Sequence, residues 1–337
     1  MLRFLVVISS ILACSIAAIP AEAAVTPQTT HHAAHHKAVA KKTIKAKHKV
    51  KANPQRIIST IRSDKAYHTR LTAVSQNDSS ESVFTSTSGL QLASTKALIV
   101  NQDTGETLYA KSTDTPTPIA SVTKLMTAMV MLDMHLPMDE PVSVSDNDVD
   151  TLKNSTSRLR VGTTLPRGDM LQLALMSSEN RAASALARTT PIGTIAFVAA
   201  MNRKALELGM TQSHFADPTG LNSENVATAE DLVKMVKAAY QYPEIRKCST
   251  SQSLDVPVHG QRQLVEFRNT NILVRKPEAA WDIGLSKTGY ISEAGRCLVM
   301  QAKIGEQPLI IVLLDSYGKL SRIADAQRIR KWIASAS

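Results

Sequence analysis

The stretch SKTGYISEAGRCLVMQAKIGEQPLIIVLLDS, residues 286–316, predicts three consecutive β-strands and so decides the class of fold. Its apolar runs are separated by turn residues at 293–295 and at 305–306. Short apolar runs bounded by such residues are typical of strands. The first run also carries a lysine, a threonine and a glycine in succession at 287–289. One strand of the sheet therefore bears polar side chains that could bind a ligand or take part in catalysis.

Two further strands are predicted upstream, where KALIV at 96–100 and ETLYAKS at 106–112 flank the turn residues Asp103-Thr104-Gly105 and indicate a hairpin. The segment LSRIADAQRIRKWIAS, residues 320–335, predicts an amphipathic helix. Between the two strand groups the pattern is mainly helical, over residues 120–134, 168–177, 180–188, 194–208 and 228–240.

The order of these elements predicts an α+β fold: a mixed, mainly antiparallel five-stranded sheet with flanking helices and an inserted helical lobe. We expect this domain to occupy residues 91–337 and the lobe about residues 121–280. A cleft between the lobes is the natural place for a site.

The N-terminus has the features of a cleaved secretory signal over residues 1–23. Arg3 precedes an apolar run from Phe4 to Ile19, and Ala21-Glu22-Ala23 suits a signal peptidase. No later apolar segment is long enough to span a bilayer. We therefore expect the mature protein outside the cytoplasm, in the periplasm, with at most a loose association with the membrane.

Residues 24–90 are predicted to form a disordered basic arm and linker. Residues 24–70 carry eight lysines and three arginines against one acid, Asp64, so their net charge equals the +10 of the whole chain. Export disfavours nucleic acid as the partner, which leaves an anionic wall or membrane surface. Paired histidines in the arm imply no complete coordination shell, and we predict neither a metal nor a cofactor.

Two cysteines, Cys248 and Cys297, remain after removal of the signal. An exported protein permits a disulfide, so a bridge between them stays open as an alternative. A buried free thiol is the favoured interpretation for Cys297, which lies in the predicted strand RCLVMQAKI.

The stretch PIASVTKLMTAMV, residues 118–130, contains the candidate nucleophile, Ser121, three residues before Lys124. On a buried helix the two side chains would lie on one side. Burial lowers a lysine pKa, and the neutral amine could then take the serine proton. Ser316 and Lys319 have the same spacing, but they lie where a strand runs into a turn.

A second polar motif, Ser178-Glu179-Asn180, lies between two apolar helical patterns, which would hold it rigidly at a cleft. The same serine and asparagine spacing occurs at 145–147, in a run that favours a solvated loop or helix cap, and at 223–225, which fits a turn or cap before the next helix. The third motif, Lys287-Thr288-Gly289, could receive a carboxylate on a strand.

Together the three motifs match the set typical of penicillin-binding proteins and class A β-lactamases. From about residue 90 onward the chain resembles the low-molecular-mass penicillin-binding proteins, the serine D-alanyl-D-alanine peptidases. Flanking stretches that carry the likeness are HFADPTGL, NVATAEDL and KTGYISEAGRCLVM.

The resemblance implies a role for each motif. Ser121 would be acylated by a D-alanyl carbonyl with Lys124 as base, and Ser178 would relay the proton to the leaving amine. Asn180 would hold a substrate amide. Glu179 replaces the aspartate or glycine often found there, and we expect it to alter the charge at the cleft.

The resemblance further implies that the substrate carboxylate is received on the Lys287, Thr288 and Gly289 strand. The backbone N–H groups of Ser121 and Tyr290 would form the oxyanion hole.

The implied substrates are peptidoglycan stem peptides, and β-lactam antibiotics would be covalent inhibitors. A β-lactamase would need an efficient base for deacylation, whereas FADPTGLN offers Asp217 and no glutamate. A non-catalytic wall-binding protein would not require a serine and lysine pair. Because only 48 residues follow Gly289, the chain is similar to the shorter family members that act as endopeptidases on D-Ala–diaminopimelate cross-links. The alternative is a DD-carboxypeptidase that removes terminal D-alanine.

Overall fold

The structure is a computed structural model that describes residues 89–276 and 281–336. The signal peptide expected at 1–23, and all but the last two residues of the arm expected at 24–90, lie outside this part of the chain and remain predictions. Among the described residues, no helix combines the length and the apolar character needed to cross a membrane.

The described residues contain one large sheet and three two-stranded sheets. The strands are β1 Ser94–Asn101, β2 Thr107–Lys111, β3 Thr117–Pro118, β4 Pro141–Ser143, β5 Thr164–Pro166, β6 Val226–Ala227, β7 Ser253–Val256, β8 Val265–Arg268, β9 Asp282–Ile291, β10 Gly295–Ile304 and β11 Gln307–Ser316.

The large sheet has the five strands expected from the sequence, in the order β2-β1-β11-β10-β9. All four pairings are antiparallel, so the α+β fold class is confirmed and the sheet is antiparallel throughout rather than only mainly so. The first and last strands lie side by side in its centre, with Ser94 opposite Ser316.

The helices confirm each of the five expected helical segments and the C-terminal helix. They are α1 Lys124–Asp133, α2 Arg167–Gln172, α3 Asn180–Arg188, α4 Gly193–Glu207, α5 Ala229–Ala239, α6 Pro243–Thr250, α7 Ile272–Arg275 and α8 Ser321–Ala336.

Two of the expected helices differ locally from a regular α-helix. The pattern at 120–134 begins with a 3₁₀ turn over Ala120–Thr123, and the pattern at 168–177 ends in a π-helical turn over Leu173–Ser177. The sequence analysis did not predict α6, although its first residue, Pro243, suits the start of a helix.

Apolar side chains cover both faces of the large sheet. On one face Ile99 and Leu298 pack with Ile329 of α8, and on the other face Val100 and Val312 belong to the core that contains α1 and α5. Burial on both faces explains why the run LIIVLL in β11 is continuously apolar instead of alternating.

Helix α8 is attached to β1 through a buried carboxylate. Asp325 accepts hydrogen bonds from Ala93 N at 2.9 Å and from Ser94 N at 2.7 Å. The Ser94 hydroxyl lies 2.6 Å from the same carboxylate and 2.7 Å from Ser316 Oγ. Ser316, the competing sequence candidate for a nucleophile, is therefore a buried structural residue.

Strand β9 forms one edge of the large sheet. An edge strand leaves alternate backbone N–H and C=O groups unpaired by the sheet. The 3₁₀ turn at Ala120–Thr123 packs against this strand. This packing places the candidate nucleophile, Ser121, beside the strand that carries Lys287 and Gly289.

Candidate active site

The 3₁₀ turn explains how Ser121 and Lys124 meet. Such a turn has three residues per turn, so side chains at positions i and i+3 eclipse each other. The Lys124 Nζ lies 2.8 Å from the Ser121 Oγ, as their spacing in the sequence predicts. Lys124 is only 1% exposed although its side chain ends in a basic amine.

Burial lowers the pKa of Lys124 to about 7, against the opposing effect of Asp217 and Glu179. The amine also donates to Asn180 Oδ1 at 2.8 Å and to the Thr219 carbonyl oxygen at 2.6 Å. A neutral amine has two N–H bonds and one lone pair. With both N–H bonds engaged, the lone pair is directed at the Ser121 hydroxyl.

Ser178 occupies an unusual backbone conformation at the end of the π-helical turn. Its φ of 63° lies in the left-handed region, which costs a non-glycine residue free energy. The conformation ends the turn and lets α3 begin at Asn180. Ser178 and Asn180 are therefore held at opposite ends of one rigid corner.

Lys287 lies across the cleft on β9 and joins the second motif to the third. Its Nζ donates to Ser178 Oγ at 2.9 Å and to the Thr288 carbonyl oxygen at 2.8 Å. Burial holds the pKa of Lys287 well below its usual range, and Lys124 and Arg322 add repulsion between like charges. An anion that entered here would stabilise the ammonium form.

Two glycines let the backbone of the nucleophile turn lie close to its neighbours. A Cβ on Gly289 would lie 2.8 Å from the Ile119 carbonyl oxygen and 3.1 Å from Ser121 N. A Cβ on Gly220, whose φ is +81°, would lie 2.0 Å from the Ala120 carbonyl oxygen. No side chain fits at either position without moving Ser121.

Other side chains of the third motif have separate partners. The Thr288 hydroxyl lies 2.7 Å from Thr270 Oγ1, two residues after the end of β8. The Tyr290 ring is 56% exposed and stacks with Arg296, whose guanidinium carbon lies 4.4 Å from the ring centroid. The oxyanion hole expected from the backbone N–H groups of Ser121 and Tyr290 remains a prediction.

Several residues that shape the site could not be identified from the sequence. Thr219 contributes a carbonyl oxygen, which any residue type has, so its side chain gave no signal. Arg322 of α8 donates to the carbonyl oxygens of Gly289 at 2.8 Å and of Cys297 at 3.1 Å. The helical pattern predicted α8 but not that one of its arginines reaches β9.

The loop at residues 149–158 contacts the second motif and was also missed. Lys153 forms an ion pair with Glu293, in the turn between β9 and β10. The Ser157 hydroxyl donates to Glu179 at 2.6 Å. Burial raises the pKa of Glu179, against the opposing effects of the Ser157 bond and of nearby cationic side chains.

The competing sequence motifs have structural roles. Ser145 begins the short 3₁₀ helix at Asp146–Asp148 with a capping box, as expected. Ser223 lies in a turn, but the cap of α5 is Thr228. Asn225 is buried and its Oδ1 accepts from Ala216 N at 2.6 Å. None of these places a hydroxyl beside a buried lysine.

Asp217 and the two cysteines are also accounted for. The Asp217 carboxylate accepts from the backbone N–H groups of Thr219, Gly220 and Asn222, so it holds its own loop. Cys248 and Cys297 are both free and buried, and a disulfide between them is thereby ruled out in this structure.

Comparisons with known proteins identify a family and several relatives. The family model described as D-alanyl-D-alanine carboxypeptidase matches residues 82–318. A protein of Pseudomonas aeruginosa named D-alanyl-D-alanine endopeptidase is 46% identical over 243 residues, which cover 72% of this chain and 78% of that protein. An Escherichia coli K12 protein of the same name is 45% identical over 249 residues, covering 74% of this chain and 80% of that protein.

Relatives named as carboxypeptidases are less similar. The D-alanyl-D-alanine carboxypeptidase DacF of Bacillus subtilis is 29% identical over 248 residues, covering 72% of this chain and 62% of that protein. Among solved structures, the Streptomyces K15 DD-transpeptidase superposes with a TM-score of 0.66 at 29% identity, covering 72% of this chain and 97% of that one.

Proposed function

The chain belongs to the D-alanyl-D-alanine carboxypeptidase family of serine peptidases, and from this premise we propose that it opens peptide cross-links in peptidoglycan through an acyl-enzyme on Ser121. The observation that carries the proposal is the buried Lys124, which lies 2.8 Å from the Ser121 hydroxyl and has a pKa of about 7. At neutral pH much of this lysine is an amine able to accept the serine proton.

Acylation then follows from the contacts of the site. Ser121 Oγ attacks the D-alanyl carbonyl carbon while its proton passes to Lys124. The bond from that carbon to the leaving nitrogen breaks, and the nitrogen receives a proton by way of Ser178. Water next attacks the ester with Lys124 again as base, which releases the shortened peptide and restores the serine.

The buried Lys287 supplies the charge that orients the leaving group. Both D-alanine and diaminopimelate carry a carboxylate on the carbon next to the leaving nitrogen. That carboxylate would compensate the repulsion among Lys287, Lys124 and Arg322. We assign the carboxylate to Lys287 and Thr288, the substrate amide to Asn180, and the developing oxyanion to the backbone N–H groups of Ser121 and Tyr290.

The preference for cross-links rests on the names and similarities of the relatives. The endopeptidases are 45–46% identical to the chain and the carboxypeptidase DacF is 29% identical. The test offers purified cross-linked dimers and uncross-linked pentapeptides in parallel. We expect cleavage of the dimers to monomers, and release of D-alanine from pentapeptides with the dimers intact would show a carboxypeptidase instead.

Covalent labelling by penicillin separates the peptidase from a β-lactamase and from a non-catalytic binder. We expect a lasting adduct, because the Asp217 carboxylate already accepts three backbone N–H groups and is a poor base for deacylation. Ser121→Ala should abolish the label. Ser316→Ala, at the matched spacing outside the cleft, should keep it.

We further propose that the protein works in the periplasm and that its arm, residues 24–90, binds an anionic wall or membrane surface rather than nucleic acid. The support is the concentration of the whole +10 charge in residues 24–70. Deletion of the arm should spare hydrolysis of small soluble peptides but weaken sedimentation with purified wall. Binding by the intact protein should fall steeply as salt increases.

A further inference from the structure

The loop at residues 149–158 touches the catalytic machinery at a position that no part of the mechanism above uses. Asn180 donates from Nδ2 to Ser155 Oγ at 3.1 Å. The other end of the same amide, Oδ1, accepts from Lys124 Nζ at 2.8 Å. Ser155 therefore bonds to the Asn180 amide nitrogen, and this bond keeps the amide oxygen facing Lys124.

Ser155 is itself held in place by a carboxylate, which bonds to its backbone. Asp150 accepts from Ser155 N at 2.7 Å and from Leu152 N at 2.8 Å. Burial alone would raise the pKa of Asp150, but hydrogen bonds from the Ser155 side chain and from the backbone lower it below its usual range. The Ser155 hydroxyl oxygen accepts from Asn180 Nδ2 and so favours the orientation in which Oδ1 faces Lys124.

The direction of these bonds matters for the base. If the Asn180 amide turned over, Nδ2 would face Lys124 and donate an N–H to the lone pair of the amine. That bond would compete with the Ser121 hydroxyl for the same lone pair. Fixing the amide keeps the lone pair free for the nucleophile.

We propose that Ser155 is a positioning residue, which fixes the orientation of the Asn180 amide and thereby directs the Lys124 amine at Ser121. Asp150 holds Ser155 in place through the Ser155 backbone N–H, and the Ser155 hydroxyl oxygen in turn holds the Asn180 amide. The proposal rests on the proposed function, since it assigns a task only if Lys124 is the base.

The test compares Ser155→Ala with Ser155→Thr, which keeps a hydroxyl at the same place. The control is Thr156→Ala, which removes the hydroxyl of the next residue, exposed to solvent. The measurement is the second-order rate of acylation by a labelled penicillin between pH 5 and pH 9. We expect Ser155→Ala to slow acylation about tenfold to a hundredfold at pH 7, and Ser155→Thr and Thr156→Ala to stay within about twofold of the unchanged protein.

The pH profile distinguishes positioning from a general loosening of the loop. The charged groups facing Lys124 are Asp217, Glu179 and Lys287, and none is altered by the substitution. Loss of the fixed Oδ1 acceptor removes a bond that favours the ammonium form, so the pKa of the acylation profile should fall. A loosened loop would admit water to Lys124 and raise that pKa towards its usual value.

Each outcome decides the matter. Slower acylation with a lower pKa in Ser155→Ala, restored by threonine, supports the proposal. An unchanged rate, an unchanged or raised pKa, or a failure of threonine to restore the rate overturns it. If the unchanged protein takes no label at all, the proposed function has failed rather than the role of Ser155.

Discussion

Substitution of Gly220 by alanine provides the sharpest test of the close backbone approach behind Ser121. The new Cβ would lie 2.0 Å from the Ala120 carbonyl oxygen, whereas ordinary contact begins at 3.4 Å. The backbone must therefore separate by about 1.4 Å. The left-handed φ of +81° adds strain of its own for any residue with a Cβ.

The magnitude follows from these two effects. The left-handed conformation costs about 1 to 2 kcal/mol, and forcing extra volume into a packed site costs about 1 to 3 kcal/mol. We expect Gly220→Ala to lower the free energy of unfolding by about 2 to 5 kcal/mol. Displacement of the nucleophile by about 1 Å should slow acylation about a hundredfold.

The matched control is Gly105→Ala in the turn between β1 and β2. Its φ is +78°, and nothing lies within 4 Å of the position of the added Cβ, so it carries the conformational strain alone. Unfolding in urea and the rate of penicillin acylation are measured for both variants. Equal losses of stability, together with an unchanged acylation rate in Gly220→Ala, would refute the close approach.

Three further predictions concern the base, the core and the thiols. Lys124 must be neutral to act as the base, and its pKa is about 7. The acylation rate should therefore rise about tenfold per pH unit below pH 7 and level off above it. A rate independent of pH from 5 to 9 would exclude this lysine as the base. Asp325→Ala leaves Ala93 N and Ser94 N without an acceptor. The free energy of unfolding measured in urea should therefore fall by about 3 kcal/mol. A loss below about 0.5 kcal/mol would contradict the structure. Cys248 and Cys297 are buried, and burial raises the pKa of each thiol to about 11. A thiol reagent at pH 8 should therefore label neither cysteine until the protein is unfolded. A reducing agent should leave the melting temperature unchanged.

The five strands and the main helices could be predicted because their signals are local. Apolar runs such as QPLIIVLLDS and turn residues such as Gly305-Glu306 identify a strand and its end within ten residues. The 3₁₀ turn at Ala120–Thr123 could not be told from an α-helix, since a spacing of three brings Ser121 and Lys124 to one side in both. The left-handed Ser178 was equally hidden, because that conformation is usually marked by glycine or asparagine.

The three motifs of the site could be read from the sequence, but their supporting contacts could not. Thr219 acts through its carbonyl oxygen, which carries no residue signature. Ser155 and Arg322 act on Asn180 and Gly289 across 25 and 33 residues of chain. Such contacts depend on tertiary packing, which one sequence without its structure does not specify.

The pairing of β1 with β11 governs when the enzyme can become active. Ser94 and Ser316, which face each other, are 222 residues apart, and pairings of such separation form late because a long loop must close first. A chain synthesised from its N-terminus thus presents Ser121 and Lys124 long before the centre of its sheet can assemble. The peptidase should therefore stay inert until its final strand and α8 have been made and have folded.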